Sequence, residues 1–314
     1  MRVTSSLDTV LTPTAVALGN FDGVHQGHRQ VIQPILQADV DQTDSVKTVV
    51  TFNPHPQEFF SGQPRCLLTP LDEKVLQLKE IGVGQLVLLP FDRELASLTP
   101  EQFVASILVQ GLQAKFISVG QDFCFGRGRT GTAEDLKALA AAYGINVAIA
   151  TLKCFDGARI SSSAIRQSLL AGEVQAAAAL LGRPYTLVGQ VVSGQQVGRT
   201  LGFPTANLAL PQEKFLPCLG VYAVRVQVCD RLDDFLNCEA PLLPGVMNLG
   251  HRPTIDGTRL IPEIHLLDWN GDLYNKMLTV HLEYFLRKEQ KFASLEQLKS
   301  QIHADCELAR SRLV

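Results

Sequence analysis

The sequence predicts two domains in series: a doubly wound α/β domain, followed by a small closed antiparallel β-barrel that ends in a helix. Three observations support this prediction. The 314 residues suffice for about two domains. The first half alternates short apolar runs with helical patterns, whereas the part after residue 182 is rich in strand patterns punctuated by Gly and Pro. We therefore predict domains at residues 1–182 and 183–314.

Five apolar runs predict the strands of the first domain. They are residues 15–19, 47–52, 85–91, 115–120 and 146–152. Helical patterns separate them near residues 26–38, 70–81, 100–110 and 133–143. Strands rich in Val, Ile and Leu with helix-length connections predict a parallel sheet that helices cover on both faces. Ligands of such a sheet bind at the carboxyl ends of its strands.

Local signals predict where helices begin and end in this half. Thr69 and Thr99 each precede a proline, so we expect their hydroxyls to cap the helices that follow. A single helical pattern covers residues 163–182, and Gly182-Arg183-Pro184 interrupts it. This interruption is where we place the end of the first domain.

The second half contains the strand patterns of the barrel. They are residues 186–192, 221–228, 245–250, 261–267 and 276–285. Partial alternation of apolar and polar residues is typical of antiparallel strands. A last helix is expected from Ser294, as its N-cap, to about residue 310.

Composition limits the kind of partner. The chain is 46% hydrophobic and 19% charged, with a net charge of −3. That charge gives no electrostatic reason to expect a nucleic acid or an anionic membrane, so small molecules are the expected partners. Seven cysteines without a C-x-x-C spacing predict free thiols in a reducing compartment. No signal peptide and no run of about eighteen apolar residues is present, and we expect a cytoplasmic protein.

The segment Gly19–His28, GNFDGVHQGH, follows the first predicted strand and enters the first predicted helix. The free N–H groups of a helix N-terminus bind anions. His25 and His28 at such a turn are suited to stabilise charge that develops on a phosphoryl group. Two alternatives stay open: the histidines are surface groups on a glycine-rich turn, or they bind zinc together with His55.

A second group of phosphate-binding candidates lies at residues 161–166. Ser161, Ser162 and Ser163 precede a helical pattern, and hydroxyls and amides at a helix start also hold phosphate oxygens. Arg166, one turn later, supplies a bidentate cationic group. The alternative is a capped helix with an arginine on its surface.

Thr205 and Asn207 are the metal-binding candidates of the second half. They lie two residues apart, so on an extended segment their side chains point the same way. Mg²⁺ takes oxygen ligands and relies on substrate phosphates for the rest of its shell. A neutral hydroxyl and amide are therefore adequate when ATP brings the negative charge. The alternative is an ordinary strand that a proline begins.

Glu263 is the candidate general base. An attacking hydroxyl must lose its proton, and a positioned carboxylate accepts it. From the residues alone, a barrel residue paired with Arg252 or Arg259 is the favoured interpretation, and the role of general base comes from the family resemblance described below.

Taken together, these segments resemble a known family. Gly19–His28 is similar to the H-x-G-H signature of the nucleotidyltransferase superfamily, and in this longer form it resembles the bacterial bifunctional riboflavin kinase/FAD synthetase family. Further similar segments follow in the family's order over essentially the whole chain: Thr51–Pro56, Val119–Phe123, Ile160–Arg166, Gly198–Asn207, Asn248–Thr254 and Leu286–Phe292. The resemblance implies a Rossmann-like nucleotidyltransferase fold for the first domain and a riboflavin kinase barrel for the second.

The resemblance also implies roles for individual residues. It implies ATP and phosphate binding by Gly19, Phe21, Asp22, Gly23, Ser162, Ser163, Gly198 and Arg199. It implies flavin binding by Asn53, His55, Asp122 and Arg287. It assigns catalysis to Glu263, His25, His28 and Arg166, and Mg²⁺ to Thr205 and Asn207. Cys124, His251 and Trp269 stand where the family more commonly has Arg, Thr and Phe.

The implied function is a pair of reactions. The second domain would phosphorylate riboflavin to FMN with ATP, and the first would adenylylate FMN to FAD with a second ATP. Riboflavin, FMN and FAD would thus be substrates or products, with ATP as co-substrate. Two alternatives remain: only one domain is active, or the chain is a flavin or nucleotide sensor without turnover.

Overall fold

A computed structural model of the chain describes residues 1–38, 45–151, 153–155, 158–193, 202–236, 241–254 and 257–313. The chain divides into two compact units, Met1–Ser162 and Ser163–Val314. The second unit thus begins with the helical pattern at 163–182. The domain boundary after residue 182 stays a prediction.

The first unit is built on a six-stranded parallel sheet. Its strands are β1 (Arg2–Thr4), β2 (Thr14–Leu18), β3 (Val46–Asn53), β4 (Gln85–Pro90), β5 (Ala114–Gly120) and β8 (Asn146–Ala150). They lie side by side in the order β1-β4-β3-β2-β5-β8. Chain order runs outward from β2 through β3 to β4 on one side and from β5 to β8 on the other. β1 is added at the edge, beyond β4. The predicted doubly wound sheet is confirmed, and its switch point lies between β2 and β5.

Helices cover both faces of this sheet. They are α1 (Gln26–Gln37), α2 (Pro56–Ser61), α3 (Leu71–Glu80), α4 (Arg93–Ser97), α5 (Pro100–Gln102), a π-helix (Phe103–Gly111) and α6 (Ala133–Ala141). β2 is buried along its whole length, and its residues alternate between two apolar clusters. Ala15 and Ala17 pack toward α1, whereas Val16 and Leu18 pack toward the π-helix and α6. Burial on both faces explains why β2 is an uninterrupted apolar run.

Four two-residue strands lie outside the main sheet. β6 (Cys124–Phe125) pairs with β7 (Gly131–Thr132), and β9 (Cys154–Phe155) pairs with β10 (Ala158–Arg159). Their shortness leaves little periodicity to detect in a sequence.

The two predicted threonine caps have different outcomes. Thr99 caps α5 in a reciprocal pair with Gln102, as expected. The prediction for Thr69 is wrong, because α3 begins after Pro70 without a side-chain cap. The Thr69 hydroxyl instead accepts a hydrogen bond from the Gly23 backbone N–H, at 2.9 Å. A local capping rule could not detect a partner so far away in the sequence.

The single helical pattern at 163–182 is two helices, α7 (Ser162–Ala171) and α8 (Val174–Leu181). They are separated at Gly172, whose φ of 81° is left-handed. A side chain would also be crowded here, since an added Cβ would lie 3.1 Å from the Phe285 ring. The prediction of one continuous helix is therefore wrong.

The second unit contains a closed six-stranded antiparallel barrel. Its strands are β11 (Tyr185–Val192), β12 (Ala206–Ala209), β13 (Gly220–Cys229), β14 (Leu243–Thr254), β15 (Gly257–Leu266) and β16 (Met277–Arg287). They follow the order β11-β12-β15-β14-β13-β16, and β16 pairs with β11 to close the barrel. Five strands and the barrel closure were predicted. β12 is the sixth, found where the sequence predicted only an extended segment.

The last helix, α9 (Leu295–Leu313), packs against the outside of the barrel. Ser294 accepts a hydrogen bond from the Gln297 backbone N–H at 3.3 Å, so the predicted cap is confirmed. Cys306, Ala309 and Leu313 bury their side chains against Val221 and Ala223 of β13. The strand residues that point outward here are apolar because this helix covers them.

Candidate active sites

The first candidate site is the turn that joins β2 to α1. β2 lies beside β5 at the switch point of the sheet, where doubly wound folds bind ligands. The turn has an unusual backbone: φ is 49° at Phe21, 96° at Gly23 and 42° at Val24. Positive φ is rare outside glycine and especially so for a β-branched residue. Such conformations persist where surrounding structure holds them, often at functional sites.

The two histidines of this turn are held against each other. His25 is the N-cap of α1, and its Nδ1 accepts a hydrogen bond from the His28 backbone N–H at 3.1 Å. The rings are stacked with centroids 3.5 Å apart. Gly27 makes room for them, since an added Cβ would lie 3.2 Å from Cε1 of His25. Because Nδ1 of His25 is an acceptor, Nε2 is the nitrogen that carries the proton of the neutral ring.

Hydrogen bonds from distant segments fix the centre of the turn. Asp22 is 3% exposed. Its carboxylate accepts the Thr69 backbone N–H at 3.2 Å, and its carbonyl accepts the Ser162 hydroxyl at 2.8 Å. The predicted residues Asp22, Gly23 and Ser162 therefore meet in one hydrogen-bonded group. The Phe21 ring is buried beneath Gly19 and contacts His28 edge-on at 5.4 Å between centroids, so it supports the turn from the core side.

Three predicted flavin-binding residues follow the carboxyl ends of β3 and β5. Asn53 ends β3, and His55 caps α2, where its Nδ1 accepts the Gln57 backbone N–H at 3.1 Å. Asp122 follows β5 and forms an ion pair with Arg159. All three lie on the same edge of the sheet as the turn, as the parallel topology requires. Their binding roles remain predictions.

The zinc alternative named His25, His28 and His55. Across the residues that the structure describes, no group of three or more His, Cys, Asp or Glu side chains is close enough to hold a metal ion. His25 and His55 both use Nδ1 to cap a helix.

Ser163 and Arg166 belong to the second unit by its contacts. Ser163 is exposed near the start of α7. The guanidinium of Arg166 lies over the ring of Phe215, 5.4 Å from its centroid. This stacking holds the cation in one orientation. Phosphate binding by both residues remains a prediction.

The second candidate site is a row of residues that runs across neighbouring barrel strands. Asn207 on β12 is opposite Glu263 on β15, and Glu263 is opposite Asn248 on β14. The row continues through Val221 on β13 to Arg287 on β16. Side chains directly opposite each other on antiparallel strands are about 5 Å apart at Cβ. Strand register thus makes Asn207 and Glu263 neighbours, and it places Arg287 three strands further along the same row.

Asn207 and Glu263 lie on one face of the barrel wall. The residues beside them, Ala206 and Ile264, are buried, whereas Asn207 and Glu263 are half-buried. Thr205, also half-buried, directly precedes β12, and continued strand alternation would put its side chain on the side of Asn207. Gly198 and Arg199 lie outside the described residues, as do the side chains of Arg252 and Arg259, the proposed partners of Glu263 in the simpler interpretation.

Arg287 has a structural partner. Its guanidinium forms a bidentate ion pair with Asp305 of α9, with a shortest distance of 2.7 Å. It also donates to the Lys288 carbonyl and lies 5.8 Å from the centroid of the Phe292 ring. Asp305 is buried, so this pair ties the end of β16 to α9. The predicted flavin contact would have to use what this pair leaves accessible.

Sequence reasoning missed two residues near these sites. Asn248 is next to Glu263 in the row, and its alternation with buried Met247 and Leu249 was the available signal. Lys74 on α3 donates to the Asn20 carbonyl of the turn at 3.0 Å. Its spacing of four residues from buried Leu78 placed it on the buried face of α3.

Comparisons with known proteins match the two halves of the chain to two families. The FAD synthetase family matches residues 8–164, and the riboflavin kinase family matches residues 181–313. The chain belongs to the bifunctional riboflavin kinase/FMN adenylyltransferase family. Proteins of that name are 42% identical in Escherichia coli K12, over 92% of this chain and 90% of that protein, and 37% identical in Haemophilus influenzae, over 99% and 98%.

A solved structure is also similar over nearly the whole chain. It is named a macrolide-efflux protein from Streptococcus pneumoniae, and it is 32% identical with a TM-score of 0.84, covering 98% of both chains. Efflux is a property given to that protein by its name. Within the described part of the present chain, no helix is long and apolar enough to cross a membrane.

The two candidate sites fall in different family matches. The FAD synthetase match contains the turn and the residues after β3 and β5, whereas the riboflavin kinase match contains the barrel row. Each site therefore lies in the part of the chain that matches the corresponding activity.

Proposed function

We propose that the barrel phosphorylates riboflavin to FMN and that the α/β unit adenylylates FMN to FAD, each with its own ATP. The observation that carries the proposal is the presence of two separate sets of polar side chains, one at the β2–α1 turn and one on the barrel row. Each set lies in the part of the chain that matches one of the two families.

In the kinase reaction, the terminal ribityl hydroxyl of riboflavin attacks the γ-phosphorus of ATP. Glu263 accepts the proton of that hydroxyl, and ADP leaves. Asn207 and Asn248, the cross-strand neighbours of Glu263, orient its carboxylate and the phosphates. The reaction passes through no covalent enzyme intermediate.

Mg²⁺ fits the donor set beside Glu263. Thr205 and Asn207 offer a hydroxyl and an amide oxygen on one side of a strand, and we propose that they hold the ion that enters with ATP. When bound, Mg²⁺ neutralises charge on the phosphate oxygens.

In the adenylyl transfer, a phosphate oxygen of FMN attacks the α-phosphorus of ATP, and diphosphate leaves. No hydroxyl proton has to be removed, so this site needs charge stabilisation rather than a base. The N–H donors come from His25 and His28. The turn is shaped by Gly19, Phe21, Asp22 and Gly23. The ATP phosphates are bound by Ser162, Ser163 and Arg166. Asn53, His55 and Asp122 are the proposed flavin-side contacts, and Gly198, Arg199 and Arg287 are proposed for the kinase site.

One assay tests the whole proposal. The purified chain is incubated with riboflavin and MgATP, and riboflavin, FMN and FAD are separated by chromatography. We expect FMN to appear first and FAD to follow. A parallel reaction that starts from FMN and MgATP tests adenylylation directly. If FMN forms from riboflavin but neither reaction yields FAD, only the kinase is active. If FAD forms from supplied FMN but riboflavin is not converted, only the adenylyltransferase is active. If neither reaction yields a product, the result favours a sensor without turnover.

A further inference from the structure

Lys74, on α3, is a charged residue at the β2–α1 turn that the proposed mechanism does not use. It is 8% exposed. Lysine is rarely buried to this extent unless its ammonium has a partner. Burial lowers its pKa below the usual value, and the nearby Asp22 carboxylate opposes that shift. Burying a cation and a carboxylate costs desolvation free energy, which their mutual attraction and further hydrogen bonds must offset.

The partner of Lys74 is the backbone of the turn itself. Its Nζ donates to the Asn20 carbonyl at 3.0 Å. The Thr51 hydroxyl donates to the same oxygen, also at 3.0 Å. Asn20 directly precedes Phe21, the first residue of the turn with positive φ. Two donors, one charged and one neutral, therefore hold the carbonyl from which the unusual backbone begins.

Further hydrogen bonds hold the part of the turn between Asn20 and the histidines. Thr69, which lies just before α3, accepts the Gly23 N–H and donates to Asp22. The segment from Thr69 to Lys74 thus forms hydrogen bonds with three groups of the turn: the carbonyl of Asn20, the carboxylate of Asp22 and the amide of Gly23. Two residues later the chain reaches His25 and the start of α1. The direction of the His25 ring and of the first turn of α1 depends on how the backbone before them is held.

We propose that Lys74 is a positioning residue for adenylyl transfer, whose ammonium holds the Asn20 carbonyl and so fixes the direction of the His25–His28 pair. Lys74 acts through the turn, without touching ATP or flavin. This inference rests on the proposed FMN adenylylation.

The test variant is Lys74→Met, which keeps the length of the side chain and removes the ammonium. Losing a charged hydrogen bond to a buried carbonyl should reduce kcat for FAD formation from FMN by about 10- to 100-fold. Because the turn stabilises charge in the transition state, KM for ATP and for FMN should change by less than about threefold. FMN formation by the barrel of the same sample should be unchanged.

Two variants grade the effect. Lys74→Arg keeps a cationic donor and should recover most of the kcat that Lys74→Met loses. Thr51→Val removes the neutral donor to the same oxygen and should reduce kcat by only about 2- to 10-fold. Lys79→Met is the matched control, since Lys79 lies on the same helix and is exposed. It should form FAD at the wild-type rate.

The outcomes separate this inference from the proposed function. If the wild-type chain forms no FAD, adenylylation itself is refuted. If it forms FAD and folded Lys74→Met does so with the same kcat, only the role of Lys74 is refuted. Circular dichroism establishes folding. Should Lys74→Met not fold, Lys74→Gln, which keeps a neutral donor, replaces it: a 2- to 10-fold loss of kcat supports the inference, and wild-type kcat overturns it.

Discussion

The two sites place their side chains by different means. At the β2–α1 turn, Phe21, Gly23 and Val24 all have positive φ. Side chains from β3, from α3 and from Ser162 donate hydrogen bonds to the neighbouring carbonyls of Asn20 and Asp22. In the barrel, Thr205, Asn207 and Glu263 have ordinary extended backbones. Register alone brings the last two together. One site is a strained turn that neighbours must hold, and the other is a consequence of strand pairing.

This difference predicts how each site responds to mutation. The turn concentrates backbone N–H groups and two imidazoles at one helix start, which suits a reaction that needs only charge stabilisation. It should be sensitive to residues that never contact substrate. The row presents side chains on a stiff sheet, which suits a proton transfer that needs a fixed carboxylate. It should be sensitive mainly to the reacting groups themselves.

The largest effect is expected at the row. Glu263→Gln removes the base and keeps the size of the side chain, so kcat for FMN formation should fall by about 10²- to 10⁴-fold. FAD formation from supplied FMN should remain within about twofold. Glu213→Gln, at an exposed position of the same unit, is the control. A Glu263→Gln enzyme that still phosphorylates riboflavin at the wild-type rate would exclude this carboxylate as the base.

At the turn, His28→Ala should reduce FAD formation by about 10²- to 10³-fold, because one preorganised donor is lost where charge develops. FMN formation should be unaffected. His303→Ala, on the exposed side of α9, should leave both activities intact. Loss of both activities in a folded His28→Ala protein would contradict the independence of the two sites.

Sequence reasoning predicted what local pattern determines. Five of the six strands of the sheet, five strands of the barrel and the last helix lie where periodicity placed them, within a few residues at each end. The turn was identified because its glycines and histidines are contiguous. The sequence also indicated which side Thr205 and Asn207 share, since alternation along a strand is a local property.

Sequence reasoning could not predict contacts that depend on pairing between distant segments. That Asn207, Glu263 and Asn248 are neighbours follows from the registers of β12, β15 and β14, which no single segment encodes. Thr69 was expected to cap α3, and it bonds to Gly23 instead. The spacing of Lys74 from Leu78 indicates the buried face of α3, but nothing in the sequence indicates that the Asn20 carbonyl lies there.

Gly23→Ala separates strain from chemistry. At a φ of 96°, alanine costs about 1–2 kcal/mol relative to glycine, and the turn should relax away from its geometry. We expect FAD formation to fall about 10-fold while FMN formation is unchanged. Gly82→Ala is the matched control, since Gly82 has a φ of 93° with open space around it, away from the turn. It should cost similar stability without lowering kcat for FAD formation; an equal loss of kcat would assign the Gly23 effect to instability.

The smallest effect tests the barrel wall away from the row. Burial and the nearby positive charge of Arg183 lower the pKa of His281 on β16 below its usual value of 6.5. The folded barrel therefore binds a proton there less readily than the unfolded chain does. Stability from this group is fully present above about pH 6.5 and is lost as the pH falls toward the lowered value.

His281→Gln should make the fall of the melting temperature between pH 7.5 and 5.5 shallower, by a few degrees at most. Fluorescence of Trp269, the only tryptophan, follows unfolding of this unit. An unchanged pH slope would mean that His281 is protonated in the folded barrel as easily as in the unfolded chain, and that the barrel wall, unlike the β2–α1 turn, holds no charge-sensitive group at this position.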